Sequence, residues 1–390
     1  MTFNKLIDRE TSHATKWEIM EKRYGVSRDG GLPMWIADSD YGTAPCVRDA
    51  VIRSAQDGDY GYRPIYQSYL DAVQWWMRTR HNWEIDTDWI LTTQGLGNAI
   101  ALSIQTFTEP GDAIAIFSPV YHEFANKINK NARVVTECPL ALIDGKYELD
   151  LDDAQSRLTG KEKMLIWCSP QNPSGRIWTT EELRAVAEFA LRNDLILLTD
   201  EIHHDLTFAG ETFVPFHVAA PEIEDRMIIV TAPSKTFNIA GQRTGNMIIP
   251  NAKMRTAIAN MQNRMDYYPA MLGVSMIEAA YSQDGADWTD AQMVHLAEIC
   301  ALFDKGVEAI PGVRSHKLQS TYLGWVDFSA TGMDQAEIEE RVYGRAKIAA
   351  ASGSTFGTGH DKFMRFTLAT PRATIEEAVN RLQNAFSDLQ

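Results

Sequence analysis

Lys235 stands in TAPSKTFNIAGQRTGN, residues 231–246, directly after the apolar run Met227–Val230. A lysine just past a buried strand end occupies the place where open α/β sheets bind their ligands. A desolvated amine there can attack a carbonyl or act as a base near neutral pH. Taken alone, a solvated loop lysine is the simpler explanation. Asp200 and Glu201 close a second apolar run, LILLTDE. A carboxylate at a buried strand end costs free energy unless it meets a cation or hydrogen-bond donors. A protonated pyridine nitrogen is one such cation, and a cap or salt bridge would serve as well.

Other polar residues share these surroundings. Ser169–Gly175 (SPQNPSG) follows the apolar MLIWC, and its Asn-Pro and Ser-Gly pairs predict a tight loop that could carry Asn172 into a cleft. Gly95 and Leu96, in TTQGLGN, precede a helical run over Ala99–Phe107. Free amides at such a helix start can hold a phosphate. The spacing is neither GxGxxG nor a P-loop, so no dinucleotide or Walker site is expected. In Phe363–Leu368 alternation puts Met364, Phe366 and Leu368 on one face and Arg365 on the other. Its fork suits a planar carboxylate, although a surface strand arginine would show the same pattern. His203 and His204, if on a strand, face opposite ways and would not share an ion, and HExxH spacing is absent. No metal is expected.

The elements that must position these groups follow from periodicity. Ala113–Phe117, Met164–Cys168, Leu195–Leu198 and Met227–Val230 are short apolar runs bounded by turn residues and read as buried strands. Between two of them lies a helix face of Leu183, Val186, Ala187 and Ala190, with Thr180 as its expected N-cap. This predicts an α/β fold with a mostly parallel central sheet between helices. After about residue 285 helices near 286–309 and 334–350 flank a strand at Tyr322–Phe328, followed by strand Phe363–Leu368 and a helix at Ile375–Phe386. The expected division is an N-terminal segment, 1–48, packing with a small α+β domain, 286–390, beside a large domain, 49–285. Trp325 and the pair Trp75-Trp76 read as packing residues.

Composition narrows the class. The 390-residue chain is 45% hydrophobic and 23% charged, ordinary for a globular enzyme, with a net charge of −15 that gives no basic excess for nucleic acid. Four separated cysteines, Cys46, Cys138, Cys168 and Cys300, form no CxxC pair and fit a reducing cytoplasm. MTFNKLIDRE lacks an apolar h-region, and apolar runs of about five residues fall short of the roughly 20 that span a bilayer. A cytoplasmic location without membrane contact is expected.

Taken in order along the whole chain, SPxNPxG, DE at a strand end, SK followed by GxRxG, and a late arginine resemble the fold-type I enzymes of the class I/II aminotransferase superfamily, which use pyridoxal 5'-phosphate (PLP). The resemblance makes Lys235 the Schiff-base lysine, Asp200 the partner of the pyridine nitrogen, Asn172 that of the ring hydroxyl, and Tyr121 the stacking aromatic. Gly95, Leu96, Ser234 and Arg243 become the phosphate cup, and His203 stands behind the cofactor. Tyr62, in YGYR, is similar to a tyrosine that reaches the phosphate from a neighbouring subunit, which implies a homodimer. Arg365 matches the arginine that grips the substrate α-carboxylate, with Asp38 and Tyr322 among the pocket walls.

DRETSHATKWE, LPMWIADSDYGTAP, DEIHHDLTF and LQSTYLGWVDF further resemble the cystathionine β-lyase-like C–S lyases of the MalY/PatB type. The implied reaction is α,β-elimination from cystathionine or another cysteine S-conjugate to thiol, pyruvate and ammonia. GQRTG around Arg243 is the setting typical of aminotransferases, so transamination stays open as the alternative. A cofactor-binding regulatory protein without turnover is the third reading, for which no helix-turn-helix module is present.

Overall fold

Seven of the chain's short strands assemble into one sheet in a computed structural model, which describes residues 3–9 and 12–389. They are β1 (Ile90–Thr93), β2 (Ala113–Ser118), β3 (Val134–Pro139), β4 (Glu162–Cys168), β5 (Ile196–Asp200), β6 (Met227–Thr231) and β7 (Gly245–Ile248). Their order is β1-β7-β6-β5-β4-β2-β3. Every pairing from β3 to β6 is parallel, and only β7 runs antiparallel, to both β6 and β1.

Side-chain alternation explains why both faces of this sheet are buried. On one face Ile114, Ile116, Ile166, Leu198 and Val230 pack against α1 (Leu96–Phe107) through Ala99, Ile100 and Ile104. On the other, Ala115, Phe117, Leu165 and Leu197 meet Val186, Ala187 and Ala190 of α2 (Thr180–Arg192). Its cap lies one residue earlier than expected. Thr179 is the N-cap, accepting from the Glu182 amide at 3.2 Å, while Glu182 accepts from the Thr179 amide at 2.9 Å. That reciprocal pair satisfies two orphan donors and fixes the register.

A second, antiparallel sheet has the order β8-β9-β11-β10, built from β8 (Arg314–Ser315), β9 (Leu323–Asp327), β10 (Ala351–Ser352) and β11 (Phe363–Thr367). Met364 and Phe366 of β11 pack with Ile299 and Phe303 of α3 (Gln283–Glu308) and with Ile375 and Leu382 of α4 (Arg372–Ala385). The helix expected over 334–350 is much shorter, Gln335–Glu339, followed by a wider π turn, Glu340–Arg345. Lys347 adopts a left-handed backbone (φ 54°), and Ile348–Ala349 pairs in parallel with Leu32–Pro33 instead of continuing the helix. The N-terminal segment is thereby stitched to the second sheet: Met34 N–H donates to Ala349 O and accepts, through its own carbonyl, from Thr367 N–H.

Trp325 is fully buried and donates to the Tyr147 hydroxyl at 3.0 Å; Trp76 stacks on Tyr281. Among the described residues no helix is long and apolar enough to cross a membrane. The four cysteines are unpaired.

Candidate active site

The carboxyl ends of β4, β5 and β6 open on a cavity of about 750 Å³. Lys235, Asp200, Asn172, His203 and Tyr121 all line it. So do Gly95, Leu96, Ser234 and Arg243 at one side and Arg365 at another. The strands explain this convergence. Asn172 stands four residues beyond the end of β4, Asp200 is the last residue of β5, and Lys235 follows β6 by four residues.

Lys235 is half-buried on the cavity wall, and desolvation brings its amine down to about 8. Its Nζ donates to the Ala37 carbonyl at 2.8 Å. Asp200 is buried with one hydrogen-bond donor, the Ile202 amide at 3.1 Å. Burial therefore raises its carboxyl to about 7, against the opposing pull of that amide and of Lys235. His203 is buried with Nδ1 unpartnered, and burial, helped by Lys235 and Arg365, lowers it well below the usual imidazole value.

Arg365 is likewise almost completely buried. Its Nη1 donates to Asn172 Oδ1 at 2.9 Å and its Nη2 to the Trp35 carbonyl at 3.0 Å, while Nε has no partner among the described residues. Burial lowers this guanidinium to about 10. Phe356 lies under it, 4.8 Å from Cζ to ring centroid. A planar cation with only neutral partners and an unused donor is poised for an anion. Tyr121 is pushed up to about 12 by burial and stays a neutral aromatic wall.

Gly95 caps α1 with φ 78°, a conformation that suits glycine, and a Cβ there would lie 3.3 Å from the Arg243 backbone. The close approach brings the first turn of α1 beside Arg243, which has no carboxylate partner among the described residues. Helix-start amides, the Ser234 hydroxyl and a free guanidinium make a donor set for a phosphate. Together with the under-donated Asp200 and the desolvated Lys235 amine, this set fits PLP: donors for its phosphate, an anion for its ring nitrogen and an amine for its aldehyde.

Three site candidates lie off the cavity wall. Asp38 is held by Arg9 through two bonds, 2.9 and 3.1 Å, with Lys16 at 3.6 Å, so its carboxylate is occupied by the N-terminal segment. Tyr322 is buried behind Lys235, its hydroxyl 3.4 Å from the Lys235 carbonyl. Tyr62 is fully exposed. Residues 202–205 form a turn rather than a strand, yet His203 and His204 still diverge, because His204 enters the interior beside His81 and Asp205. Ligand-type atoms of those three lie within 4.8 Å of one another, but Asp205 already accepts hydrogen bonds on both oxygens, from Trp76 and Thr236.

The cavity also has walls that sequence patterns did not single out: Arg23, Trp35, His122, Glu123 and Lys127. His122 follows Tyr121 and could have been read with it. Arg23 sits in a polar helical run and carries no signal of its own.

The chain matches the family model for aminotransferase class I and II over residues 34–382. Cystathionine beta-lyase PatB of Bacillus subtilis is 33% identical, the match covering 99% of this chain and 100% of that protein. Protein MalY of Escherichia coli is 30% identical over 98% of each chain. The crystal structure of cystalysin from Treponema denticola, which contains a PLP cofactor, superposes with a TM-score of 0.95 at 32% identity, covering 100% of this chain and 99% of that one. The chain belongs to the class I and II aminotransferase family and has its fold-type I architecture.

Proposed function

We propose that the protein is a PLP-dependent C–S β-lyase that cleaves cystathionine or related cysteine S-conjugates to a thiol, pyruvate and ammonia. The observation that carries this is the buried Asp200, short of donors, on the same cavity as the desolvated Lys235 amine. PatB and cystalysin, matched along essentially their whole length, support elimination as the reaction.

When bound, the cofactor supplies an aldehyde and an electron-accepting ring. In this reading Asp200 holds the charge of the ring nitrogen, Asn172 meets the ring hydroxyl, Tyr121 covers the ring and His203 backs it. Gly95, Leu96, Ser234 and Arg243 hold the phosphate. Arg365 binds the substrate α-carboxylate with the two-pronged geometry of its fork. Lys235 Nζ, near neutrality because it is desolvated, moves the proton from the substrate α-carbon. The C–S bond then breaks with its electron pair leaving on sulfur. Asp38 and Tyr322 act from behind Lys235, shaping the pocket indirectly.

The large and small domains are taken as 49–285 and 286–390, with residues 1–48 joining the latter. The assembly is read as a cytoplasmic homodimer in which Tyr62 reaches a partner's phosphate site. Exposed Tyr60, Tyr62 and Tyr268, the last next to Tyr267 of the cavity wall, support an interface. Transamination is the second reading, favoured by Arg243.

Purified protein given L-cystathionine, with no keto acid, should release thiol and pyruvate together. Turnover that requires an added amino acceptor would replace elimination with transamination.

A further inference from the structure

Two arginines line the cavity without a carboxylate partner among the described residues besides Arg243, which belongs to the phosphate end. One is Arg365. The other is Arg23, from the short helix Met20–Tyr24. Its Cζ lies 5.0 Å from the Trp35 ring centroid and 5.6 Å from that of Tyr24, so two aromatic faces hold the guanidinium. Trp35 links the pair. Its carbonyl accepts from Arg365, its ring carries Arg23, and its Nε1 donates to the Lys16 carbonyl at 2.9 Å, which fixes the indole.

Among the described residues no carboxylate is paired with Arg23; Glu339, which acts on Tyr24 and Tyr343 beside it, is bonded by Gln335 Nε2 at 2.8 Å. Glu123 is committed to Lys127 at 3.0 Å and to Asn126 at 2.8 Å. His122 is lowered to about 4, first by burial and then by Arg365 and Arg23, so it is neutral and adds no anion. A substrate with a single carboxylate, bound through Arg365, leaves Arg23 unmatched.

We infer that Arg23 and Trp35 form a second carboxylate subsite, which selects cysteine S-conjugates whose leaving thiol itself carries a carboxylate over neutral S-alkyl cysteines. This rests on the proposed assignment of Arg365 to the α-carboxylate. One residue, its backbone carbonyl on Arg365 and its indole under Arg23, sets the spacing between the two cations, so the site measures the separation of two carboxylates. Cystathionine, whose leaving group bears a carboxylate of its own, belongs to the favoured class.

The test compares S-(2-carboxyethyl)-L-cysteine with the neutral S-propyl-L-cysteine, using the holoenzyme and its Arg23→Gln and Arg23→Lys variants. Wild type should prefer the carboxylate substrate. Arg23→Gln should lower the ratio of kcat/KM values about threefold to fivefold, as expected for an ion pair made by an exposed arginine at the cavity mouth. The loss should fall on KM of the carboxylate substrate, and Arg23→Lys should restore part of it. The wild-type preference should also weaken with added salt. A ratio that does not move, with both substrates falling alike or neither changing, overturns the subsite and leaves Arg23 a structural residue. Equilibrium titration with the sulfur-free analogues 2-aminoheptanedioate and 2-aminoheptanoate, which have no leaving group, reads the subsite independently of turnover. If wild type releases pyruvate from neither cysteine conjugate, the elimination reading fails, while selective weakening of 2-aminoheptanedioate by Arg23→Gln would still uphold the subsite.

Discussion

Residues 200–205 supply an aspartate and a histidine to each of two buried places, and the pairs behave in opposite ways. Asp200 and His203 face the cavity; His204 and Asp205 face the interior. Asp205 Oδ1 accepts from Trp76 Nε1 and meets His81 Nε2, both at 2.9 Å, and Oδ2 accepts from Thr236 at 3.0 Å. His204 Nε2 lies 3.1 Å from the Thr231 hydroxyl. Burial alone would raise Asp205, but His204, His81 and Trp76 hold it far below the ordinary carboxylate range. Asp200, equally buried, has one amide and rises to about 7. Burial is common to both, so the donor count decides. The interior pair is satisfied by the protein itself, whereas the cavity pair has fewer donors, which suits the proposed role of Asp200 toward a ligand cation.

The largest expected effect removes the amine that the cavity pair serves. Lys235→Ala should lower elimination on the order of 10⁴-fold or more, and the imine absorbance of the holoenzyme should be absent, borohydride no longer fixing the cofactor to the chain. Asp200→Asn should lower kcat on the order of 10³-fold. It should also raise the melting temperature of the cofactor-free chain at pH 8, because an uncompensated buried anion is gone. A less stable variant would show that Asp200 is already satisfied, and the contrast would break.

Asp205→Asn should do the reverse. It should cost about 3 kcal/mol of stability by denaturant unfolding, since Trp76, His81 and Thr236 lose a charged acceptor, while kcat per folded molecule falls far less than in Asp200→Asn.

The smallest effect is a slope. Folded Asp200 holds its proton up to about 7, against 3.8 ordinarily, so its contribution to the cofactor-free chain is lost as pH rises through that window. His204, brought down to about 3 by burial against the pull of Asp205, acts oppositely, and its contribution is lost as pH falls from 6.5 towards 3. Asp200→Asn should therefore make apo stability climb more steeply between pH 5 and 6.5, by up to about 1.4 kcal/mol per pH unit relative to wild type. Equal slopes would mean that Asp200 does not titrate there.

What the sequence made legible follows the same division. Lys235, Asp200 and Asn172 could be placed because each follows an apolar strand, and strand ends of a parallel sheet converge. The strands themselves were readable from their apolar runs, Met227–Thr231 being buried throughout. The helix cap was off by one residue, since Thr179 and Thr180 are chemically equivalent candidates and only Glu182 chooses between them. The truncated helix after Asp334 was hidden because its end depends on Leu32–Pro33, some three hundred residues away. Arg23 was invisible for a related reason: its meaning comes from Trp35 and from a cavity built by other parts of the chain.

The reversal of β7 has a consequence for anyone who would re-engineer this enzyme. Because β7 returns antiparallel beside β6, with Asn246 opposite Thr231, Lys235 and Arg243 ride on one loop pinned at both ends. An insertion or deletion between them would displace the proposed base and the proposed phosphate anchor together. Cofactor grip and proton transfer are therefore tuned separately only from elsewhere, through Gly95 on one strand end or Asp200 on another.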